Sequence, residues 1–155
     1  MAVQKNINIQ NKKARFEFEI LDKFVAGIQL TGTEIKSIRL SQARITESFC
    51  EFNDRGELFI VNMYIQEYMF GHHFNHKPKS ERRLLLHKRE LRSLKKDVEA
   101  KGNTIVPLRL FINDRGFAKL EIALAKGKQT HDKREVLKER DSKRDLARIK
   151  KNFNA

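Results

Sequence analysis

The tetrapeptide Asn-Asp-Arg-Gly occurs twice, at residues 53–56 and again at 113–116. Runs of strand-forming residues flank each copy, 48–52 and 58–64 around the first, 105–112 and 117–125 around the second. Asn and Asp favour tight turns, and the closing glycine accepts positive φ without steric cost. Two antiparallel hairpins are therefore expected, and they commit much of the chain to sheet. Shared turn chemistry explains the repeat without any duplication.

The remaining segments fit around that frame. Residues 1–14 are polar and read as a lead-in arm. Residues 15–20, Arg-Phe-Glu-Phe-Glu-Ile, alternate strictly and predict a strand with one buried face. A turn around Asp22-Lys23 leads to a second strand at 25–30, where Gly27 marks a bulge or a close backbone approach. The period then changes. Ile35 and Ile38 lie three apart, Thr33 is placed to cap, and Lys36 and Arg39 share a face, predicting a short basic helix that plugs one end of the sheet. The stretch 68–78 mixes aromatics, three histidines and Lys77 in a loop that runs into Arg82-Arg83. A longer helix follows, with Leu91, Leu94 and Val98 on one face and Gly102 as its stop. Pro107 puts the next strand at an edge or a bulge. The expected fold is mainly β with helices (β+α): six antiparallel strands in a small, closed, oligonucleotide-binding-type (OB-like) barrel over residues 1–125, with flanking helices. Periodicity alone leaves barrel against open sheet undecided.

Charge narrows the partner. Lys and Arg number 33 against 20 Asp and Glu, a net of +13 with pI near 10.0. Cations that neutralise phosphates release condensed counterions, so such a balance favours nucleic acid. Residues 126–155 hold eleven Lys/Arg and five Asp/Glu, a net of +6. Their apolar seam, Leu146, Ile149 and Phe153, is too thin to offset the entropy of ordering. This basic C-terminal tail is expected to be disordered or loosely helical when free and to order against a polyanion. No apolar run of about 18 residues exists, so no membrane partner is expected. The N-terminus lacks the apolar stretch of a secretory signal, and a cytoplasmic location is the default. Cys50 is the single cysteine, so no disulfide framework forms, and it reads as a small core residue.

Catalytic and metal chemistry find little footing. His72, His73 and His76 have ligand-like spacings, but they sit between Gly71 and Pro78 with no carboxylate beside them. No phosphate-binding glycine loop, dinucleotide fingerprint or nucleophile elbow is present. No enzyme activity, cofactor or metal is expected. Nucleic-acid binding has broader support: Lys36, Arg39, Arg44, Lys77, Arg82 and Arg83 are interleaved with aromatics. Most phenylalanines are expected in the core, leaving Tyr64, Tyr68 and Phe74 as stacking platforms. Without zinc fingers or a recognition-helix pattern, RNA is favoured over DNA.

At residues 125–134, Ala-Lys-Gly-Lys-Gln-Thr-His-Asp-Lys-Arg, the chain resembles the SsrA-binding (small protein B) family, the bacterial partners of transfer-messenger RNA (tmRNA). The resemblance covers nearly the whole chain. It includes Asn-Lys-Lys-Ala at 11–14, Ala-Gly-Ile at 26–28 and Gly-Thr-Glu-Ile-Lys-Ser at 32–37. It continues through Asn75-His76-x-Pro78, residues 84–90, Lys143-Arg144 and Ala-Arg-Ile at 147–149. Val25 stands where the family commonly has Glu, and Ser80 where it often has Arg.

The resemblance implies an adaptor for trans-translation, the rescue of stalled ribosomes. Its barrel would grip the tRNA-like part of tmRNA, and its tail would sense the empty mRNA channel at the decoding centre. It implies tmRNA contacts at Asn11, Lys36, Arg39 and the Asn75-His76 loop, a surface to which Lys12, Tyr64 and Arg82 are added. Gly127, His131, Asp132, Lys133 and Arg134 would engage small-subunit rRNA at the decoding centre, with His131 stacking on a base. Lys143, Arg144, Arg148, Ile149 and Lys150 would lie in the mRNA channel. Elongation factor Tu on the same tmRNA is the further partner implied. The alternative is a structural ribosomal or ribosome-associated rRNA-binding protein.

Overall fold

The computed structural model describes residues 6–99 and 102–128. The chain runs β1 (Asn8–Gln10), α1 (Lys12–Glu17), β2 (Phe18–Ile28), α2 (Gly32–Arg39), β3 (Ala43–Arg44), β4 (Phe49–Phe52), β5 (Leu58–Val61) and β6 (Tyr64–Ile65). A 3-10 turn at His72–Phe74, then β7 (Arg82–Leu85), α3 (Lys88–Glu99), β8 (Asn103–Ile112) and β9 (Ala118–Gly127) complete it. The result is a mixed β+α fold, an antiparallel sheet with flanking helices. Seven strands follow the order β1-β8-β4-β5-β7-β2-β9, β8 also pairs with β9, and β3 and β6 form a separate ribbon.

Both repeated tetrapeptides make the expected hairpins, β4–β5 and β8–β9. In each, the Asn side chain accepts from two backbone amides, Arg55 and Glu57 in the first, Arg115 and Phe117 in the second. Gly56 and Gly116 take φ of 77° and 88°, a region costly for residues with a Cβ.

Strand β9 lies between the two long strands, pairing with β2 from Phe18↔Gly127 to Gly27↔Lys119 and with β8 from Asn103↔Lys126 to Ile112↔Ala118. The register shifts between Pro107 and Arg109, the bulge that proline required. A second shift falls between Ile20 and Asp22. The turn expected at Asp22-Lys23 is therefore absent, and one bulged strand replaces two shorter ones. At Gly27 an added Cβ would lie 3.4 Å from the Leu85 Cβ, a close approach rather than a bulge.

Residues 12–17 form a helix where alternation predicted the start of a strand. Asn11 decides this: its Oδ1 accepts from the Ala14 amide while its Nδ2 donates to the Pro107 carbonyl at 3.0 Å. Ala14 packs with Val106, Leu108, Ala123 and Ala125, so one small side chain anchors the turn. The lead-in arm also contains a strand, β1, paired with β8. On α2 the cap is Thr31 rather than Thr33, with Glu34 completing a capping box.

The core is aliphatic. Ile38, Ile45, Leu58, Ile60, Met63, Leu94, Leu110 and Leu120 are fully buried, with Cys50 among them. Phe49, Phe70 and Phe117 are exposed and no phenylalanine is in the buried core among the described residues, against the expectation that most fill it, while Phe74 is exposed as expected of a stacking platform. No helix among the described residues is long and apolar enough to cross a membrane.

Candidate nucleic-acid interface

Arg82 is buried and organises one region of the surface from beneath. Its Nε donates to Glu34 Oε2 at 2.5 Å, its Nη1 to the Met63 carbonyl, and its Nη2 to the carbonyls of Lys77 and Pro78. The other oxygen of Glu34 accepts from the Thr31 amide at 2.9 Å, so one carboxylate joins the cap of α2 to β7. Buried ions persist only when paired and hydrogen-bonded in this way. Arg82, expected among the RNA-contacting residues, is buried and braces the backbone around it.

The loop above it is equally fixed. His76 is buried, with Nε2 against the Ile65 carbonyl and Nδ1 against Thr33 Oγ1, both at 2.9 Å. The carbonyl can only accept, so Nε2 carries the proton, and in the neutral ring Nδ1 accepts from the threonine hydroxyl. Asn75 Nδ2 donates to the Tyr68 carbonyl at 2.7 Å, and its Oδ1 accepts from the Tyr68 amide at 3.0 Å. Gly71 makes room for this clamp, since a Cβ there would lie 2.6 Å from Asn75 Nδ2. Next to it, His72 takes φ of 47°.

What the loop presents is aromatic and cationic. Phe74 is 91% exposed and Phe70 63%. The Tyr68 ring meets Phe70 edge-on at 5.7 Å, and Lys36 Nζ from α2 stands 5.4 Å from the Tyr68 centroid. A lysine beside exposed rings can neutralise a phosphate while bases stack on the faces. Tyr64, on the β3–β6 ribbon, lies under the Arg44 guanidinium at 4.9 Å. Sequence reasoning missed Phe70, whose signal was a loop position outside any strand alternation.

Lys36, Asn75, His76 and Arg82 thus converge on α2 and the 68–78 loop. Asn11 and Lys12 lie elsewhere, at the start of α1. Asn11 is buried as a strut, Lys12 is exposed, and neighbouring Lys13 bonds Glu47, which raises its pKa. Arg39 reaches toward the β8–β9 turn near Gly116. Gly127 ends β9 opposite Phe18, and the Lys128 amide bonds the Glu17 carbonyl. His131, Asp132, Lys133, Arg134, Lys143, Arg144, Arg148, Ile149 and Lys150 lie outside the described residues. Both His76 nitrogens are engaged by protein, which removes the third ligand of the histidine set. Among the described residues no group of three His, Cys, Asp or Glu side chains is placed to hold a metal.

Comparisons with known proteins converge on one family. The family described as SmpB protein matches residues 8–152. The SsrA-binding protein of Flavobacterium psychrophilum is 66% identical over 149 residues, covering 96% of this chain and 99% of the relative. That of Bacteroides thetaiotaomicron is 51% identical over 146 residues, covering 94% and 97%. Among solved structures, one concerning tmRNA-SmpB and the centre of the bacterial ribosome contains a similar chain. It is 47% identical with a TM-score of 0.67, covering 80% of this chain and 86% of that one.

Proposed function

The chain belongs to the SmpB family, the non-enzymatic RNA-binding adaptors of tmRNA-mediated ribosome rescue, and from that premise we propose how its parts divide the work. The pairings lead from β8 through β4, β5, β7, β2 and β9 back to β8, which supports reading residues 1–125 as a closed OB-like barrel. This barrel region holds the tRNA-like domain of tmRNA. Lys36, Arg39, Tyr64 and Lys12 meet the RNA directly, with Tyr68 and Phe74 as stacking faces. Asn11, Asn75, His76 and Arg82 act on it by fixing the backbone that carries those groups.

The tail supplies the second contact. Gly127, His131, Asp132, Lys133 and Arg134 engage the decoding centre, and Lys143, Arg144, Arg148, Ile149 and Lys150 follow the empty mRNA channel. Dense positive charge in a thin-seamed segment suits a channel walled by rRNA phosphate. Because mRNA and tail compete for the same space, vacancy itself becomes the signal. Elongation factor Tu joins through the same tmRNA.

The observation that carries this reading is a family match running through both the described fold and the basic segment beyond it. Purifying the tagged full chain from bacterial cells and sequencing the RNA that remains bound tests it. Transfer-messenger RNA should dominate at low salt and be lost progressively as salt is raised. Stoichiometric ribosomal RNA that stays through a high-salt wash, without tmRNA, would instead identify a structural ribosomal component.

A further inference from the structure

Lys128, the last described residue, is tied down at a definite place. Its amide donates to the Glu17 carbonyl, and its neighbour Gly127 pairs with Phe18. Beside that exit, between α1 and β4, lies a cavity of about 190 Å³. Phe18, Phe49 and Val106 give it apolar walls, while Glu17, Glu47 and Thr104 line it with oxygen. Phe49 is 42% exposed, a large ring left open on the outer side of β4. Among the described residues lining the cavity, Lys13 supplies the one positive charge. It stands within ion-pair distance of both glutamates, so two carboxylates face one ammonium. In a chain of net charge +13 this is a locally acidic, aromatic recess. Residues 126–134, which leave the fold beside it, carry four Lys/Arg against one Asp.

Chain length and chemistry select the side chain that fills it. An extended chain advances at most about 3.6 Å per residue, so the His131 backbone stays within about 11 Å of Lys128 in any conformation. Val136 and Leu137, the first apolar side chains beyond Lys128, lie eight and nine residues on, and bringing them back orders a longer polar loop. A leucine would also leave the lining oxygens without a partner, whereas an aromatic ring that can carry positive charge satisfies two phenylalanines and two carboxylates together. We propose that in the free protein His131 docks between Phe18 and Phe49, beside Glu17 and Glu47, latching the start of the basic segment onto the folded unit. The latch holds the same side chain that the decoding-centre reading places on an rRNA base, so rRNA must displace it. The docking does not depend on that reading, but its release on the ribosome does.

Full-length protein with the photo-cross-linking amino acid p-benzoylphenylalanine in place of Phe49 tests the latch while keeping an aromatic ring at that position. Irradiated free of RNA, it should form a link within the chain that mass spectrometry maps to residues 129–133. His131→Ala in the same background should cut the yield by roughly fivefold or more. The label in place of Phe117, exposed at the opposite end of β9 and about 30 Å away along the strand, should give no link to that peptide. Three results would overturn the proposal: no link within the chain, a link only between two copies, or a link to this segment that His131→Ala leaves within twofold. Adding stalled ribosomes with tmRNA should abolish the link. A link that persists there would support the docking and count against the decoding-centre reading instead.

Discussion

Removing the Glu34 carboxylate leaves the Arg82 guanidinium buried without its counter-charge. Breaking such a pair from one side costs about 3–5 kcal/mol, far more than the intact pair contributes against an apolar substitute. Glu34→Gln should therefore lower stability by about that amount in urea unfolding, with weaker tmRNA binding as a consequence of a loosened α2. Cys50 offers a second check. Burial pushes its thiol well above the ordinary range, so the folded protein keeps it protonated and shielded. A thiol reagent at pH 8 should leave it unlabelled until denaturant is added. The linkage has a definite sign: as pH rises past the ordinary thiol value, the unfolded chain loses this proton and the folded chain does not. Cys50 thus makes folding less favourable in strong alkali, and Cys50→Ala should flatten that part of the stability curve. The types of Asn11, His76 and Arg82 were legible as important in the sequence, but their burial was not. Arg82 meets Glu34 across 48 residues and Asn11 meets Pro107 across 96, and no local pattern reports such partners.

At the scale of elements, the hairpins were legible because turn chemistry is local. Asn53 and Asn113 each bind amides within four residues of themselves. Helix α1 was hidden because Phe16, Phe18 and Ile20 alternate, while the decision rests on the Asn11 cap and the packing of Ala14. Strand β7 was hidden because Arg82-Arg83 reads as loop surface, although Arg82 points inward and Arg83 outward as a strand requires. The 68–78 loop behaves as an element of its own. Gly71→Ala should drive the Asn75 amide from its place, breaking both bonds to the Tyr68 backbone. Hydrogen exchange at the Tyr68 amide should accelerate by tenfold or more, since about 1.4 kcal/mol of lost protection corresponds to each factor of ten. Phe74→Ala, by contrast, removes only an exposed ring. It should weaken tmRNA binding by roughly 5-fold or more without altering the salt slope, the signature of stacking rather than ion pairing.

Across the whole molecule, net charge of +13 should make RNA association steeply salt-dependent and its encounter fast. Composition made a polyanion partner legible, and ordered sequence blocks narrowed it to one family. The gathering of Lys36 on α2 with Tyr68 and Phe70 of the loop required the fold. β9 runs to Gly127, and the amide of its neighbour Lys128 bonds the Glu17 carbonyl. The central proposal is that the folded unit holds tmRNA while the basic segment reads the ribosome. Its most direct test is the full-length D132A/K133A/R134A variant in a reconstituted trans-translation reaction, with tmRNA affinity measured in parallel. Peptide tagging should fall by at least tenfold while tmRNA affinity stays within twofold. Equal losses in both measurements would contradict the division of labour.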